Sequence, residues 1–267
     1  MTNRIERWAL ILGASSGFGA ATALELAARG FHIAGVHLDR KATLPNVEQI
    51  VQRIQQAGRH ARFFNVNAAD PDKRKDVLDQ LEPALKTSSP PGQMVVLLHS
   101  LAFGTLKPYI ATDSKDAVTQ DQLEMTLDVM ANSLVYWVQD LCARAMMREG
   151  SRVFAMTSSG GSRVWPSYGA VSAAKAALES HIRQLALELA PHGIAANTIR
   201  AGVTDTPALR RIPGSEQMIE FAKLKNPHHR LTTPEDVACA IATLSEPSTQ
   251  WMTGNVIGID GGEDITG

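Results

Sequence analysis

The sequence predicts an α/β fold, a doubly wound parallel sheet with helices on both faces, built as one domain over residues 1–267. Three observations predict it. Strand-length apolar runs alternate with helix-length amphipathic runs from one end of the chain to the other. A glycine-rich loop follows the first apolar run and leads straight into a helical stretch. No linker, tandem repeat or low-complexity tract divides the chain, and 267 residues suffice for one substantial core.

The elements follow in order. Residues 8–12 form a short apolar strand, and residues 20–29 read as a helix ended by Gly30. Residues 31–38 are a second strand, 47–57 a helix and 61–66 a third strand. Residues 72–85 are an amphipathic helix, and Ser88-Ser89-Pro90-Pro91-Gly92 is a loop, because two prolines and a glycine break either element. A buried fourth strand covers 94–98, a long helix 121–148 and a fifth strand 152–156. Helix 172–189, strand 195–199 and a last strand at 256–260 complete the set. Right-handed crossovers stack parallel strands of this kind into one sheet.

Bulk composition excludes several classes. An apolar content of 44% with 20% charged residues is ordinary for a globular protein. A formal net charge of −1 gives no reason to expect nucleic acid or an anionic membrane surface as a partner. No apolar run reaches the roughly 18 residues of a membrane span, and residues 1–7 lack the apolar core of a secretory leader, so a cytoplasmic protein is expected. Cys142 and Cys239 stand in apolar helical contexts and are expected to be buried free thiols. The eight histidines include no HExxH or Cys/His ligand set, and His228-His229 reads as a loop, so no metal site is expected.

The loop Gly13-Ala14-Ser15-Ser16-Gly17-Phe18-Gly19 carries the first chemical signal. Glycines there allow positive φ and let the backbone approach a pyrophosphate, which would lie on the amides of the helix N-terminus. The second signal is Tyr168 and Lys175, seven residues apart in Pro166-Ser167-Tyr168-Gly169-Ala170-Val171-Ser172-Ala173-Ala174-Lys175, in a chain with only three tyrosines. A phenol has a pKa near 10, and a neighbouring ammonium favours its ionised form, so the pair can move a proton to a substrate oxygen.

With these two signals the chain resembles the short-chain dehydrogenase/reductases, whose Gly-x-x-x-Gly-x-Gly loop it matches. The resemblance implies a Rossmann-like sheet and a nicotinamide cofactor. Asn65-Val66 matches the family's Asp-Val that contacts adenine, with the charge removed. Ala201-Gly202-Val203-Thr204-Asp205-Thr206 matches the Pro-Gly-x-x-x-Thr stretch, where Gly202, Val203, Thr204 and the Thr206 hydroxyl are implied to hold the nicotinamide carboxamide. Gly254-Asn255 through Asp260-Gly261-Gly262 resembles the family's C-terminal signature.

Most of the superfamily leaves three residues between the Tyr and the Lys. Six, as here, resembles the bacterial enoyl-acyl-carrier-protein reductases, and so does His99-Ser100-Leu101-Ala102, similar to their His-Ser-Ile-Gly. Ser158, seventeen residues before Lys175, stands where ordinary members carry the catalytic Ser, and this combination resembles the NADPH-dependent third class of enoyl reductases. By resemblance Tyr168, Lys175 and Ser158 are the catalytic residues, with Lys175 also on the nicotinamide ribose. The alternative for Ser158 is a hydroxyl closing a strand end on backbone, with Thr157 and Ser159 beside it. Met130 falls where ordinary members have a helix Asn for proton relay; a thioether donates no proton, which a ketone reductase would tolerate less well.

The implied cofactor contacts are Gly13, Ser15, Ser16, Gly17, Phe18, Gly19, His37, Arg40, Asn65, Val66, Ser100, Leu101, Ala102 and Lys175, with the four of the 202–206 stretch. His37 occupies the strand-two position at which an acid would bind a ribose 2′-hydroxyl, Asp39 follows two residues on, and Arg40 and Lys41 would neutralise a 2′-phosphate. NADPH is therefore the expectation, with NADH possible. Phe103 and Tyr109 are expected to line an acyl pocket, and residues 207–229 to form a substrate lid with Leu209, Ile212, Met218 and Phe221 on its apolar side. Arg210, Arg211, Lys223 and Lys225 would suit an acidic carrier protein as readily as they suit solvent. Trp165, three residues before Tyr168, is expected in the core, with a place near the site as the alternative, and the apolar faces of the 121–148 and 172–190 helices imply a homotetramer by resemblance.

The function expected is reduction of the C=C bond of a 2-enoyl thioester, on acyl carrier protein or coenzyme A, in fatty acid biosynthesis. The alternatives are a ketone/alcohol oxidoreductase on a 3-ketoacyl, steroid or secondary-metabolite substrate, and a catalytically silent cofactor-sensing protein.

Overall fold

A computed structural model of the chain describes residues 5–266. The leader reading of residues 1–7 falls largely outside that range. Strand β1 (Glu6–Leu12) leads into helix α1 (Gly17–Ala28), followed by β2 (His32–His37), α2 (Leu44–Gln56), β3 (Ala61–Asn65), α3 (Pro71–Thr87) and β4 (Gly92–His99). The second half holds α4 (Gln120–Leu127), α5 (Ser133–Ala143), β5 (Arg152–Thr157), α6 (Gly169–Leu189), β6 (Ala195–Ala201), α7 (Ser215–Lys225), α8 (Pro234–Leu244) and β7 (Val256–Ile259).

All seven strands join one parallel sheet in the order β3-β2-β1-β4-β5-β6-β7. Strand alternation sends successive side chains to opposite faces. Leu10 and Leu12 of β1 therefore join Leu78, Trp137, Leu178 and Ile182 on the α3, α5 and α6 side. Ala9 and Ile11 join Leu26, Ile54, Val237 and Ile241 on the α1, α2 and α8 side. Both faces are dry, as a parallel sheet covered by crossover helices requires.

Chain direction reverses at β1: the path moves outward to β3, then returns to place β4 on the other side of β1. The register puts Leu12 opposite His99 and Thr157 opposite Arg200, so the loops leaving β1, β4, β5 and β6 open at one edge. That edge beside the reversal is where open α/β sheets take ligands.

Three features depart from the sequence reading. The long 121–148 helix is two helices joined by a π-turn over Asp128–Asn132, and it stops at Ala143. Ala145 then adopts φ 52°, turning the chain so that Met146 N–H returns to Leu141 O at 2.9 Å and Met146 O receives Met94 N–H at 2.9 Å. Helix α8 was missed, although Thr233-Pro234-Glu235-Asp236 writes its start: Thr233 caps Asp236 N–H at 3.2 Å and Asp236 accepts Thr233 N–H at 2.9 Å. Cys239 lies on the outer face of that helix and is exposed, while Cys142 is half-buried; both are free thiols.

Candidate active site

The glycine loop folds as its composition demands. Gly13 takes φ 92°, its N–H bonds Val36 O at 2.8 Å, and a side chain on it would strike the Ser100 carbonyl. A side chain on Gly19 would strike the Gly13 carbonyl, so the loop closes tightly on the start of α1. Ser16 is the N-cap of that helix, yet its hydroxyl caps nothing, leaving the first-turn amides free for an anion. A backbone cradle closed to side chains, at an uncapped helix start on the ligand edge of the sheet, fits a dinucleotide pyrophosphate.

At the outer end of this cradle the polar groups are arranged differently from the sequence reading. His37 is buried, with 3% of its side chain exposed, and its Nδ1 is spent on Asp39 Oδ2 at 2.9 Å. Asn65 is exposed, but its amide is engaged on the Asp39 backbone, accepting from N–H at 2.9 Å and donating to O at 3.0 Å. The group presented here is Asp39. Burial pushes its carboxyl up, but hydrogen bonds with Thr43, Ser15 and His37 outweigh that and hold it below the usual range. Arg40 and Lys41 are exposed beyond it, and Val66 N–H closes the strand end on His37 O at 2.8 Å.

The inner end opens into a cavity of about 420 Å³. Ser158, Tyr168 and Lys175 all line it, together with Phe18, Ala102 and Phe103. Gly202, Val203, Thr204 and Thr206 line it from the loop after β6, while Leu209, Ile212, Met218 and Phe221 face it from the 207–229 segment. Ser100 and Leu101 are half-buried on the approach, with Ser100 N–H fixed to Leu12 O at 2.8 Å. Of the two expected substrate contacts, Phe103 faces the cavity. Tyr109 does not line it, because its ring lies flat against Gly169, where an added side chain would meet it at 2.7 Å.

The spacing of seven explains how Tyr168 and Lys175 reach one cavity. Tyr168 is the N-cap of α6, and seven residues are two helical turns, so both project from one side of the helix. Burial raises the Tyr168 phenol above its ordinary pKa, and the Ser158 hydroxyl beside it pulls the other way. Lys175 is buried and donates to Met156 O at 2.7 Å; burial lowers it to about 8, against which the Glu179 charge raises it. The three hydroxyls at the end of β5 divide their roles: Thr157 bonds Glu179 at 2.6 Å, Ser158 caps Gly160 N–H at 3.2 Å beside the phenol, and Ser159 begins the turn that follows.

His99 is fully buried. Ser133 gives its hydrogen to Val129 O at 2.9 Å, so it accepts from His99 Nε2–H at 2.9 Å. Burial, then the Lys175 charge, lowers His99 to about 3, so it stays neutral and anchors the π-turn from below. Met130 lines the cavity at the position expected to lack a proton relay.

Sequence reading missed several residues here. Gly160 packs against one side of the Tyr168 ring, a role that the Gly160-Gly161 doublet could have suggested. Trp165 takes its alternative place, near the site and not in the core: it lines the cavity, and what was missed is that its Nε1–H donates to Pro213 O at 3.0 Å, tying the Tyr168 loop to the 207–229 segment. Glu263 accepts Val203 N–H at 3.0 Å, and Asp264 bridges Arg163 at 2.8 Å and Arg200 at 3.0 Å, so the residues after the Asp260-Gly261-Gly262 turn close the cavity floor.

A family model described as enoyl-(acyl carrier protein) reductase matches residues 13–263. The chain belongs to this family. An uncharacterized oxidoreductase, YjdA of Bacillus subtilis, is 27% identical over 98% of both chains. The versicolorin reductase stcU of Emericella nidulans is 26% identical over 95% of this chain and 94% of its own. The crystal structure of the enoyl-[acyl-carrier-protein] reductase (NADH) of Aquifex aeolicus superposes with a TM-score of 0.83 over 98% of this chain and 97% of its own, at 23% identity, a likeness of fold. Membership makes the chain an NAD(P)H-dependent short-chain oxidoreductase with the doubly wound sheet described above.

Proposed function

We propose that this member reduces the C=C bond of 2-enoyl thioesters, with an acyl carrier protein or coenzyme A as the thiol. The observation that carries the reading is the placement of Tyr168 and Lys175, two turns apart on α6, in one apolar-walled cavity. The cofactor, held by the 13–19 cradle, Lys175 and the 202–206 loop, would supply the hydride.

The chain's own part is to hold and protonate the acceptor. Tyr168 hydrogen-bonds the thioester carbonyl oxygen, where negative charge develops as the β-carbon is reduced. Its buried phenol stays protonated at neutral pH and is therefore a donor. Lys175, as an ammonium, favours the phenolate that remains after the proton leaves. Ser158 orients the same oxygen from the β5 side. Phe103, Leu106, Leu209, Ile212, Met218 and Phe221 exclude water and receive the acyl chain.

We propose the 207–229 segment, which includes α7, as the lid. Arg211 and Lys225 at the cavity are suited to the anionic carrier side of the substrate. A homotetramer remains the proposed assembly, and no helix among the described residues is long and apolar enough to cross a membrane.

Two choices stay within the proposal. Arg40 and Lys41 favour NADPH, while the Asp39 carboxylate favours NADH, because it would repel a 2′-phosphate. Ketone reduction is the second reading. It is favoured by Ser158 beside Tyr168, the arrangement of ordinary short-chain reductases, and by the likeness to a versicolorin reductase. NADPH and NADH oxidation with crotonyl and 2-octenoyl thioesters, against matched 3-ketoacyl thioesters, tests both. Turnover of enoyl substrates alone supports the proposal; turnover of ketoacyl substrates alone replaces it with the second reading.

A further inference from the structure

Lys175 carries a charge that burial works against, and it has one hydrogen-bond partner among the described residues, the Met156 carbonyl at 2.7 Å. A carbonyl offers a dipole and no compensating charge. One turn further along α6 stands Glu179, on the same side of the helix at the i+4 spacing, beyond ion-pair distance of Lys175 but near enough for its charge to be felt. Glu179 is itself fixed. Thr157, the residue after Met156, donates its hydroxyl to Glu179 Oε1 at 2.6 Å. Gly161 leaves the space above: a side chain there would come within 3.0 Å of Glu179 Oε1. Two consecutive residues at the end of β5 thus hold two charges one turn apart on α6.

We infer that Glu179, seated by the Thr157 hydroxyl, is a positioning residue whose carboxylate is the counter-charge that keeps Lys175 an ammonium at the end of β5. The inference rests on the proposed roles of Tyr168 and Lys175 for its consequence in turnover, but not for the electrostatics. The other groups around Lys175 do not supply this charge. From β4 it meets His99, neutral down to about pH 3. From the start of α6 comes the Tyr168 phenol, which burial keeps protonated. From β5 come the Met156 carbonyl and the Thr157 hydroxyl, neither charged. Glu179 is the carboxylate that acts on Lys175, and it opposes the burial that brings the ammonium to about 8. With that opposition removed, Lys175 loses its proton at lower pH.

The test titrates Lys175 directly. The nucleotide-free protein is labelled with 13C at lysine Cε, and the Lys175 resonance is assigned by its absence in Lys175→Gln. Glu179→Gln keeps the shape and an acceptor for Thr157 but removes the charge, and it should lower the Lys175 midpoint by about one pH unit. Thr157→Val removes the seat and should lower it by a smaller amount in the same direction. Unchanged midpoints in folded Glu179→Gln and Thr157→Val proteins overturn the inference. The alkaline limb of kcat/KM with an enoyl thioester is measured in parallel. A limb that moves down with the midpoint supports both the inference and the catalytic reading. A midpoint that moves while the limb stays leaves the counter-charge standing and overturns Lys175 as the charge used in turnover.

Discussion

Gly160 packs against one side of the Tyr168 ring, so close that a methyl group on it would meet the ring carbon Cε1 at 2.5 Å. The phenol is therefore aimed by backbone: only glycine lets the 3₁₀ turn Ser159–Gly161 pass this close to it. Ser158 precedes that turn and lies close to Gly160, while the next residue, Gly161, faces Glu179, so the two glycines let the turn pack between these polar groups.

Gly160→Ala should displace the Tyr168 ring and lower kcat by about tenfold or more, a loss of roughly 1.4 kcal/mol of transition-state stabilisation. Nucleotide affinity should stay within about twofold, because the 13–19 cradle lies across the site. Steady-state kinetics with calorimetric nucleotide titration separates the two effects.

Removing the phenol oxygen is the sharper cut. Tyr168→Phe should lower turnover by at least about tenfold with nucleotide affinity nearly intact, whereas Lys175→Ala should weaken both. A Tyr168→Phe protein with full activity would remove the proton-donor assignment.

The pH dependence follows from Lys175. An ammonium lowered to about 8 is charged below that pH and neutral above it. Tyr168 is raised by burial and keeps its proton to higher pH, so it does not set this limb. Activity should therefore fall as pH rises through about 8, and a kcat/KM profile between pH 6 and about 10 shows it.

Much of this was legible in the residues. The succession of strands and helices along the chain, the cradle and the shared cavity of Tyr168 and Lys175 follow from local patterns: apolar runs of strand length, a glycine spacing, and a spacing of seven on a helix. What was not legible depends on which side chains and carbonyls pair in the folded chain. The burial of His37 on Asp39, the Trp165 bond to Pro213 and the Thr157 bond to Glu179 span 2, 48 and 22 positions, and the last two form only once the sheet edge has assembled. Tyr109 was misjudged for the same reason: its chain position suits the cavity, but Gly169 offers its ring a flat surface first. Helix α8 is the exception, since its capping box was in plain view.

Trp165→Phe keeps the ring in the cavity wall and removes the hydrogen bond to Pro213 O. If the 207–229 segment closes over the acyl chain, this change should raise KM for the thioester by about three- to tenfold with a smaller effect on kcat. The wild-type protein should show a tryptophan fluorescence change on thioester binding that Trp165→Phe largely lacks.

Asp39→Asn removes a carboxylate held beside Ser15 while leaving its shape. Whichever nucleotide the wild type prefers, the NADPH-to-NADH affinity ratio should rise, by about tenfold. Paired dissociation constants for the two nucleotides check it, and an unchanged ratio would mean that Asp39 does not face the ribose.

The most direct measurement follows the hydrogen itself. The protein is incubated with reduced nucleotide carrying deuterium at the transferable position and a 2-octenoyl thioester, and the product is analysed by mass spectrometry and NMR. The expected product is a saturated octanoyl thioester with one deuterium on the β-carbon. Recovery of unchanged enoyl thioester, together with a deuterated 3-hydroxyacyl product from the matched 3-ketoacyl thioester, would contradict it and make the chain a carbonyl reductase.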